Sequence, residues 1–500
     1  MTDPAHILAQ RTPEFRFDRA GLLAGLHALL PESHVLSREE ELRPYECDGL
    51  SAYRTTPVAV VLPETVEQAQ GILRLCHDMG VPVVARGAGT GLSGGALPFA
   101  DGIVLSMAKF NRILDIDPRA RTARVQPGVR NLAISQASAP HGLYYAPDPS
   151  SQIACTIGGN VAENSGGVHC LKYGLTVHNI LRVRMLTIEG ELVEIGGESL
   201  DSAGYDLLAL LTGSEGMLGV ITEVLVKLLP VPACAKVVLA AFDDVEAAGR
   251  GVGDIIAAGI IPGGMEMMDN HSIRASEDFV HADYPVEAEA IILCELDGTP
   301  EDVDEQIALV SQILEARGAT QIRIARDEAE RARFWSGRKN AFPAVGRISP
   351  DYYCMDGTIP RGQLPFVLRR IEEMTREYGL RCANVFHAGD GNLHPLILYD
   401  ANIPGELETA ERFGGAILEL CVEAGGTITG EHGVGIEKIN QMCVQFPEAE
   451  RLQFFAVKAA FDPKGLLNPG KAIPTLHRCA EFGAMHVHKG ELPFPELPRF

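Results

Sequence analysis

The stretch RGAGTGLSGGA, residues 86–96, decides the fold, because five glycines fall within nine residues directly after a predicted strand. It contains a formal G-x-G-x-x-G at Gly89, Gly91 and Gly94, which is the fingerprint of a Rossmann dinucleotide site. That fingerprint requires its third glycine to lie in a helix that faces the pyrophosphate. The glycines here and the nearby Pro98 disfavour a helix, so we reject the Rossmann interpretation. The free backbone N–H groups can instead surround an anion such as a pyrophosphate.

Two further glycine-rich loops follow, PDPSSQIACTIGGNVAENSGGVHCLKYG at 147–174 and GSEGMLGVITEV at 213–224. For any one loop, a mobile surface connection is an equally good interpretation. Three such loops are more than chain connectivity needs. Together they indicate a wall around a long, phosphate-containing cofactor.

The pattern of apolar residues divides the chain in two. Residues 58–86 predict strand, helix and strand, and short strands separated by turns continue to about residue 231. A Pro-containing segment at 228–236 is the candidate boundary, and strand-then-helix units repeat after it. That repeat favours an antiparallel sheet covered by helices. Two domains are expected in 500 residues, since single cores stop growing at about 250–300 residues.

Composition excludes several classes of partner and site. The net charge of -23 argues against nucleic acid or anionic lipid as the main partner. Eleven cysteines without a C-x-x-C pair suggest reduced thiols, not a zinc ribbon, an iron–sulfur cluster or a disulfide framework. No signal peptide and no apolar run of about 18 residues is found, so we expect a cytoplasmic chain with no direct membrane span.

A second group of chemically active residues lies in HAGDGNLHP, residues 387–395, and in GEHG, residues 430–433. His387 and His394 are seven apart, and the AGDG between them rules out one regular element, whereas a strand–loop–strand path could aim both rings at one point. With Glu431 they form a set that suits a divalent transition metal. From spacing alone, histidines that merely stabilise turns are the favoured alternative.

The chain resembles the FAD-linked oxidases of the vanillyl-alcohol oxidase/p-cresol methylhydroxylase superfamily over nearly its whole length, and most closely their bacterial glycolate-oxidising branch. The motifs that carry the resemblance are RGAGTGLSGGALP, QPGVRNLAISQA, YYAPDPSSQ, TIGGNVAENSGGVHCLKYG, TGSEGMLGV, FHAGDGNLHP, GEHGVG and FDPKGLLNPGK. The resemblance implies an α+β fold with a two-lobed PCMH-type FAD-binding domain and an antiparallel-sheet substrate (cap) domain covered by helices. The expected boundaries are a helical lead-in at 1–53, the FAD-binding domain at 54–232, the cap domain with a C-terminal FAD-contacting segment at 233–475, and an extended tail at 476–500.

The resemblance also implies which residues contact FAD. Some relatives tether flavin to a histidine in the first glycine loop, but Thr90 stands there, so we expect non-covalent FAD. The expected contacts are Arg86, Gly87, Ala88, Gly89, Thr90, Gly91, Pro127, Gly128, Val129, Pro147, Asp148, Pro149, Ser150, Ser151, Gly158, Gly159, Asn160, Gly166, Gly167, Ile221 and Asn468.

The resemblance gives the second group its chemistry. It implies that His387, His394 and Glu431 hold a divalent metal (zinc, manganese or iron) beside the flavin, where the ion makes a substrate hydroxyl more acidic. His432 is expected to be the general base; the alternative is a further metal ligand or a structural histidine. Arg338 is expected to bind the substrate carboxylate; the alternative is a solvated helix residue.

Substrate and partners follow from the same resemblance. Phe342, Cys354 and Leu396 stand where D-2-hydroxyglutarate enzymes have polar residues, which favours a small acid. We therefore expect glycolate oxidation to glyoxylate; the alternative is a D-lactate or broader D-2-hydroxyacid dehydrogenase that acts without partner subunits. A second flavin-fold subunit and an iron–sulfur subunit are the implied partners, through which the chain could lie peripherally at the inner membrane.

Two hypotheses from other classes stay open at this point. A metal hydrolase would use the His/His/Glu set and keep the glycine loops as structure only. A non-catalytic subunit would hold FAD as a scaffold, although the presence of both histidine motifs argues against it.

Overall fold

The computed structural model describes residues 8–9, 14–199, 204–475 and 478. The predicted tail at 476–500 lies outside these residues except for Arg478, and much of the start of the lead-in also lies outside them. Four sheets contain the described strands, which are β1 (Val35–Leu36), β2 (Ala59–Val61), β3 (Val83–Arg86), β4 (Ile103–Ser106), β5 (Ile113–Asp117), β6 (Thr122–Val125), β7 (Leu143–Tyr144), β8 (Ile180–Leu186), β9 (Leu192–Gly196), β10 (Val220–Lys227), β11 (Leu229–Pro230), β12 (Cys234–Phe242), β13 (Gly264–Asp269), β14 (Ala290–Gly298), β15 (Gln321–Ile324), β16 (Asp351–Cys354), β17 (Cys382–His387) and β18 (Asn392–Tyr399).

The first helix precedes β1, and the others lie between the strands or after the last of them. They are α1 (Arg19–Leu29), α2 (Glu39–Leu42), α3 (Val66–Met79), α4 (Asn131–Ser138), α5 (Ile157–Glu163), α6 (Cys170–Tyr173), α7 (Thr176–Asn179), α8 (Leu207–Leu211), α9 (Val245–Ala257), α10 (Asn270–Val280), α11 (Pro300–Ala316), α12 (Glu328–Lys339), α13 (Ala341–Val345), α14 (Leu364–Tyr378), α15 (Glu406–Glu423), α16 (Met442–Gln445) and α17 (Glu448–Phe461).

The first sheet has the strand order β1-β2-β4-β3 and contains the predicted strand–helix–strand unit. Helix α3 begins at a capping box, in which the Thr65 side chain accepts a hydrogen bond from the backbone of Gln68, and it ends at Gly80 in the left-handed conformation. The predicted elements are confirmed, but β2 and β3 are not neighbours, since β4 lies between them and pairs with both in parallel.

The second sheet, β5-β6-β10-β8-β9, is antiparallel, and α5 packs against β10. Between β3 and β4 of the first sheet, residues 87–100 contain no helix. The rejection of a Rossmann fold is therefore confirmed on the point that the fingerprint requires.

The third sheet has seven strands in the order β15-β12-β14-β13-β17-β18-β16, all paired antiparallel. Alternate residues of β12 enter different cores, since Val237 and Leu239 pack on one side and Val238 and Ala240 on the other. Helices α9, α11, α14 and α15 cover one face, and α10, α12 and α13 cover the other. This is the predicted antiparallel sheet covered by helices.

The end of the chain returns to the first sheet. The backbone N–H of Val83 donates to the carbonyl of Leu466 at 2.8 Å, and the N–H of Asn468 donates to the carbonyl of Val83 at 2.9 Å. Segment 466–468 therefore lies beside β3, directly before the first glycine loop.

Two expectations from composition can be compared with the structure. Nine described cysteines are free, but Cys443 is disulfide-bonded, so the expectation of reduced thiols throughout is wrong at that position. Among the helices of the described residues, none combines the length and the apolarity that crossing a bilayer requires.

Candidate functional site

A cavity of about 460 Å³ is lined both by the glycine-rich loops and by the His/Glu group. Its size is within the range that is usual for small-molecule and cofactor sites. Of the predicted cofactor residues, those that line it are Arg86, Gly87, Ala88, Gly89, Thr90, Gly91, Pro127, Pro149, Ser150, Ser151, Gly158, Gly159, Asn160 and Ile221. His394, Glu431, His432 and Phe342 complete the lining from the third sheet and the segments next to it.

The glycines of the first two loops pack closely against each other. A Cβ atom on Gly87 would lie 2.2 Å from Oγ1 of Thr156, and one on Gly158 would lie 2.5 Å from Cβ of Pro127. Gly89 has φ +70°, a conformation that other residues rarely adopt. This wall of the cavity is therefore made of backbone that has no room for side chains.

Four buried polar atoms of the cavity lining have no hydrogen-bond partner among the described residues: Oγ1 of Thr156, Nδ2 of Asn160, Oε2 of Glu163 and Nδ1 of His432. Thr156 and Asn160, which are only 7% and 2% exposed, lie on this wall. A buried polar atom left without a partner costs about 1–3 kcal/mol. A polar ligand in the cavity could satisfy both, so these residues fit a cofactor such as FAD.

The remaining predicted cofactor residues are not part of the cavity lining: Gly128, Val129, Pro147, Asp148, Gly166, Gly167 and Asn468. Nδ2 of Asn468, for example, donates to the carbonyls of Gly95 and Glu215 at 2.9 and 2.6 Å. It therefore ties the chain's return segment to two of the glycine loops. In the structure its role is to support the wall.

Asp148 has a different partner from the predicted one. Its Oδ2 lies 2.9 Å from Nδ1 of His169, whose Nε2 lies 3.2 Å from Oε1 of Glu295 on β14. Burial opposes protonation of His169, but the two carboxylates outweigh it and raise its pKa to about 10. Asp148 is thus occupied in an ionic link between the second glycine loop and the third sheet.

His387 and His394 meet because the chain folds back between them. His387 ends β17, and residues 388–391 form a turn that is closed by Gly391 at φ +84°. In the β17–β18 pair His387 lies opposite Asn392, so His394 is its diagonal neighbour on the same face. The predicted strand–loop–strand path is confirmed.

The two imidazoles converge on one carboxylate oxygen. Nε2 of His387 and Nε2 of His394 lie 3.3 and 2.9 Å from Oε1 of Glu431, and their rings are nearly perpendicular at 86°. The three ligand atoms lie within 4.8 Å of one another. Two imidazole nitrogens and a carboxylate oxygen that point at one another are a suitable donor set for a divalent transition metal.

A second trio of possible ligands is less suitable. Cys354, His394 and His432 also have ligand atoms within 4.8 Å of one another. However, the rings of His394 and His432 are stacked in parallel, with centroids 4.8 Å apart and 4° between their planes. Lone pairs lie in the ring plane, so those of parallel rings do not converge on one ion. The geometry therefore favours the trio that contains His387.

His387 is also held from behind. Its Nδ1 lies 2.8 Å from Oε1 of Glu266 on β13, and both residues are buried. Burial opposes charge on His387, but the carboxylates of Glu266 and Glu431 outweigh it and raise the pKa of His387 well above its usual range. Burial likewise opposes charge on Glu431, but His387 lowers the pKa of that carboxyl group. A carboxylate on the far nitrogen is the support that metal-binding histidines usually have.

Arg338 does not line the cavity, although it was predicted to bind substrate. It lies in α12, is 1% exposed, and its Nε donates to Oε2 of Glu266 at 2.7 Å. The alternative of a solvated helix residue is wrong. Its Nη2 is buried without a hydrogen-bond partner. Glu266 therefore links Arg338 to His387, and one edge of the guanidinium stays available.

His432 lies next to the trio on the cavity side. Its Nε2 is 3.7 Å from Oε1 of Glu431, and its Nδ1 is buried without a partner. Burial lowers the pKa of His432 to about 4, with Asp356 opposing and His394 adding to the shift. A neutral imidazole is the form that can accept a proton.

Asp356 fixes the loop that carries Glu431 and His432. Its carboxylate accepts hydrogen bonds from the backbone N–H groups of Gly430, Glu431 and His432 at 2.9 to 3.2 Å, and its backbone carbonyl accepts one from the N–H of Gly430 at 2.8 Å. Nζ of Lys438 lies 3.3 Å from the same carboxylate. Burial opposes the charge, but His432 and Lys438 lower the pKa of Asp356.

The three residues that suggest a small substrate have different positions. The ring of Phe342 lines the cavity, with its centroid 6.1 Å from that of His394. Cys354 and Leu396 pair across β16 and β18 and are buried in the core, outside the cavity lining. Of the three, only Phe342 is placed to contact a ligand directly.

Several site residues were missed from the sequence. Glu266 lies 121 positions before His387, and no local motif marks it. Glu163 and Glu215 line the cavity and lie within the predicted glycine loops. An acidic residue inside each glycine-rich motif could have indicated them from the sequence. Asp356 gave no such signal.

Comparison with known proteins agrees with this architecture. Residues 57–196 match the family model described as "FAD binding domain", and residues 231–472 match "FAD linked oxidases, C-terminal domain". The chain is 70% identical over 483 residues to the glycolate oxidase subunit GlcD of Escherichia coli K12, covering 97% of each chain. It is 39% identical to the glycolate oxidase subunit GlcD of Bacillus subtilis, covering 85% of this chain and 91% of that one.

The fold is shared with more distant solved structures. A p-cresol methylhydroxylase with substrate bound superposes with a TM-score of 0.78 at 19% identity, covering 92% of this chain and 97% of that one. The predicted α+β fold with a PCMH-type FAD-binding domain is confirmed.

Proposed function

This chain belongs to the family of FAD-linked oxidases that includes the glycolate oxidase subunit GlcD, and we propose that it oxidises glycolate to glyoxylate. It is an FAD-dependent oxidoreductase that acts on hydroxy acids. The observation that carries the proposal is the shared cavity, in which the glycine loops face His394, Glu431 and His432. A substrate in that cavity can contact both a bound cofactor and the imidazoles.

The glycine wall binds FAD without a covalent link. Backbone N–H groups of residues 87–91 surround the pyrophosphate, and the unpartnered atoms of Thr156 and Asn160 donate or accept hydrogen bonds along the cofactor. When bound, FAD supplies the acceptor for the hydride that leaves the α-carbon of the substrate. The segment 54–232 serves as the cofactor domain and 233–475 as the substrate domain.

His387, His394 and Glu431 hold a divalent metal: zinc, manganese or iron. Such an ion would make the substrate hydroxyl more acidic. His432, neutral and next to the trio, accepts the hydroxyl proton as general base. Stacking on His394 holds the His432 ring in position for this proton transfer.

Arg338 provides positive charge for the substrate carboxylate. Its free Nη2 is the available donor, and Glu266 fixes the guanidinium through Nε. Phe342 fills the adjacent part of the cavity with an apolar ring. A second, distal carboxylate would lack a partner there, which favours a two-carbon acid over a dicarboxylate.

The relatives that support this function are subunits by name, so this chain is expected to pass its electrons to partner subunits. A second flavin-fold subunit and an iron–sulfur subunit are the proposed partners. Contact with such partners would place the chain peripherally at the inner membrane.

The test is anaerobic reduction of the purified protein. The protein should be yellow, and its flavin band should bleach on addition of glycolate faster than with D-lactate, and far faster than with 2-hydroxyglutarate. A colourless protein would remove the flavoenzyme proposal and favour a metal hydrolase. A yellow protein that no hydroxy acid bleaches would favour a non-catalytic subunit.

A further inference from the structure

Two acids, the half-buried Glu163 and the buried Glu215, lie against the loop that carries Glu431 and His432, and the proposed reaction does not use them. Glu163 is the last residue of α5, and Glu215 lies in the third glycine loop. A Cβ atom on Gly433 would lie 2.1 Å from Oε2 of Glu163 and 3.1 Å from Oε1 of Glu215. The two carboxyl groups therefore lie close to the backbone of Gly433, the residue that follows His432.

The two acids have very different hydrogen-bond partners. Glu215 accepts backbone N–H groups from Val434 and Gly435, both at 2.7 Å. Two such donors stabilise the ionised form of a carboxyl group. Oε2 of Glu163 is buried and has no hydrogen-bond partner among the described residues, although the residue lines the cavity. A negative charge would thus rest on Glu215, and a proton on Glu163.

The surroundings of Glu163 point the same way. Burial and the neighbouring carboxylates of Glu215 and Asp48 raise the pKa of Glu163 well above its usual range, against the opposing charges of Lys438 and Lys471. Glu163 also ends a helix, where the helix dipole disfavours an anion. A neutral carboxylic acid has one O–H donor, and a ligand in the cavity that Glu163 lines could accept it.

We propose that Glu163 is a protonated carboxylic acid that donates a hydrogen bond to the redox-active ring of the bound cofactor, and that Glu215 keeps it protonated. The inference rests on the proposed function, because hydride transfer requires that ring to lie at the end of the cavity where Glu431 and His432 are. Glu163 lies at that end, since its carboxyl group touches Gly433.

The consequence is a preference for reduced cofactor. A ring that receives a hydride gains electron density, and a hydrogen-bond donor stabilises that density. An ionised carboxylate at the same place would oppose it. A hydrogen bond to a charged group is stronger than one between neutral groups, so the donor should favour the reduced form by about tenfold.

The test is the midpoint potential of the FAD-loaded full chain, measured with a reducing dye system and no substrate. Glu163→Gln keeps a donor that cannot ionise, so its potential should equal that of the wild type. Glu163→Ala should bind reduced FAD about tenfold less tightly relative to oxidised FAD, which is about 30 mV in the midpoint potential. As a matched control, Glu437→Gln removes another buried acid that does not line the cavity, and it should leave the potential unchanged.

Two results would overturn the proposal. A higher potential in Glu163→Gln than in the wild type would mean that Glu163 is ionised, and an unchanged potential in Glu163→Ala would mean that no hydrogen bond exists. Failure of the proposed function would look different, since glycolate would then not bleach the flavin while these potentials could still be measured.

An infrared measurement covers the case in which the alanine variant does not bind FAD. The reduced-minus-oxidised difference spectrum of the wild type should contain a shifted carbonyl band of a protonated carboxylic acid, and the band should be missing in Glu163→Gln. A wild-type spectrum without a carboxylic acid band contradicts the proposal.

Discussion

The cavity has two walls that are built in opposite ways. The glycine wall, from Gly87 to Asn160, presents backbone and has no space for a Cβ atom at its tightest points. The imidazole wall presents side chains from β18 and the loop at 430–435, with His387 of β17 directly behind them, and buried carboxylates fix these groups. The function of the glycine wall should therefore be lost when side-chain atoms are added to it, whereas the function of the imidazole wall should be lost when side chains are removed from it.

The largest effect is expected from adding a side chain to the glycine wall. In Gly87→Val the new Cβ would lie 2.2 Å from Oγ1 of Thr156, so the first two loops must separate. We expect the purified variant to be colourless and inactive, with its absorbance spectrum as the measurement. Gly362→Val is the matched control, because a Cβ there meets nothing within 4 Å, and it should stay yellow.

The glycine wall is also the part of the molecule that could be predicted best from sequence. Glycine spacing marks all three loops, because tight approach of backbone leaves few alternatives to glycine at positions such as Gly87 and Gly89. The sequence could not show that Gly128 packs against the backbone of Met107 and Phe110 instead of lining the cavity, because a motif gives spacing but not the direction in which each residue faces. Nor could it show that Asp148 contacts His169 within the same loop.

The imidazole wall was predictable only in part. His387 and His394 are close in sequence and meet through one hairpin, so a motif could suggest them. Their supports could not be predicted, because Glu266 reaches His387 through pairing of β13 with β17, a contact between distant segments. Leu396 was expected to limit substrate size, yet its side chain is in the core behind the cavity.

The second largest effect should follow from removing a ligand of the imidazole wall. His387→Ala loses one metal ligand, and the several kcal/mol of transition-state stabilisation that a metal supplies correspond to about a 10³-fold loss of turnover. FAD content should be unchanged, because His387 does not line the cavity. The exposed His141→Ala serves as the control for loss of an imidazole. If flavin disappears together with activity, the two walls are not separable.

A smaller loss is expected when the metal ligands remain and only the proposed base is removed. His432→Gln keeps a polar side chain beside Glu431 but cannot take up the hydroxyl proton, and we expect kcat to fall about 10²-fold. Metal content, measured by elemental analysis, should match the wild type. A parallel loss of metal would instead make His432 a ligand.

The smallest effect concerns which acid is preferred. Phe342→Ala removes an apolar ring from the cavity lining, so the ratio of kcat/KM for D-lactate to that for glycolate should rise by about tenfold. Leu396→Val, a change in the core behind, should leave this ratio unchanged. An equal shift in both variants would mean that Phe342 does not contact the substrate.

The most direct test of the separation between the walls is the visible spectrum of Glu431→Ala before and after anaerobic addition of glycolate. The variant should be as yellow as the wild type, because Glu431 is not part of the glycine wall, and it should stay yellow under conditions in which the wild type bleaches. A colourless variant, or one that bleaches at the wild-type rate, would contradict the account.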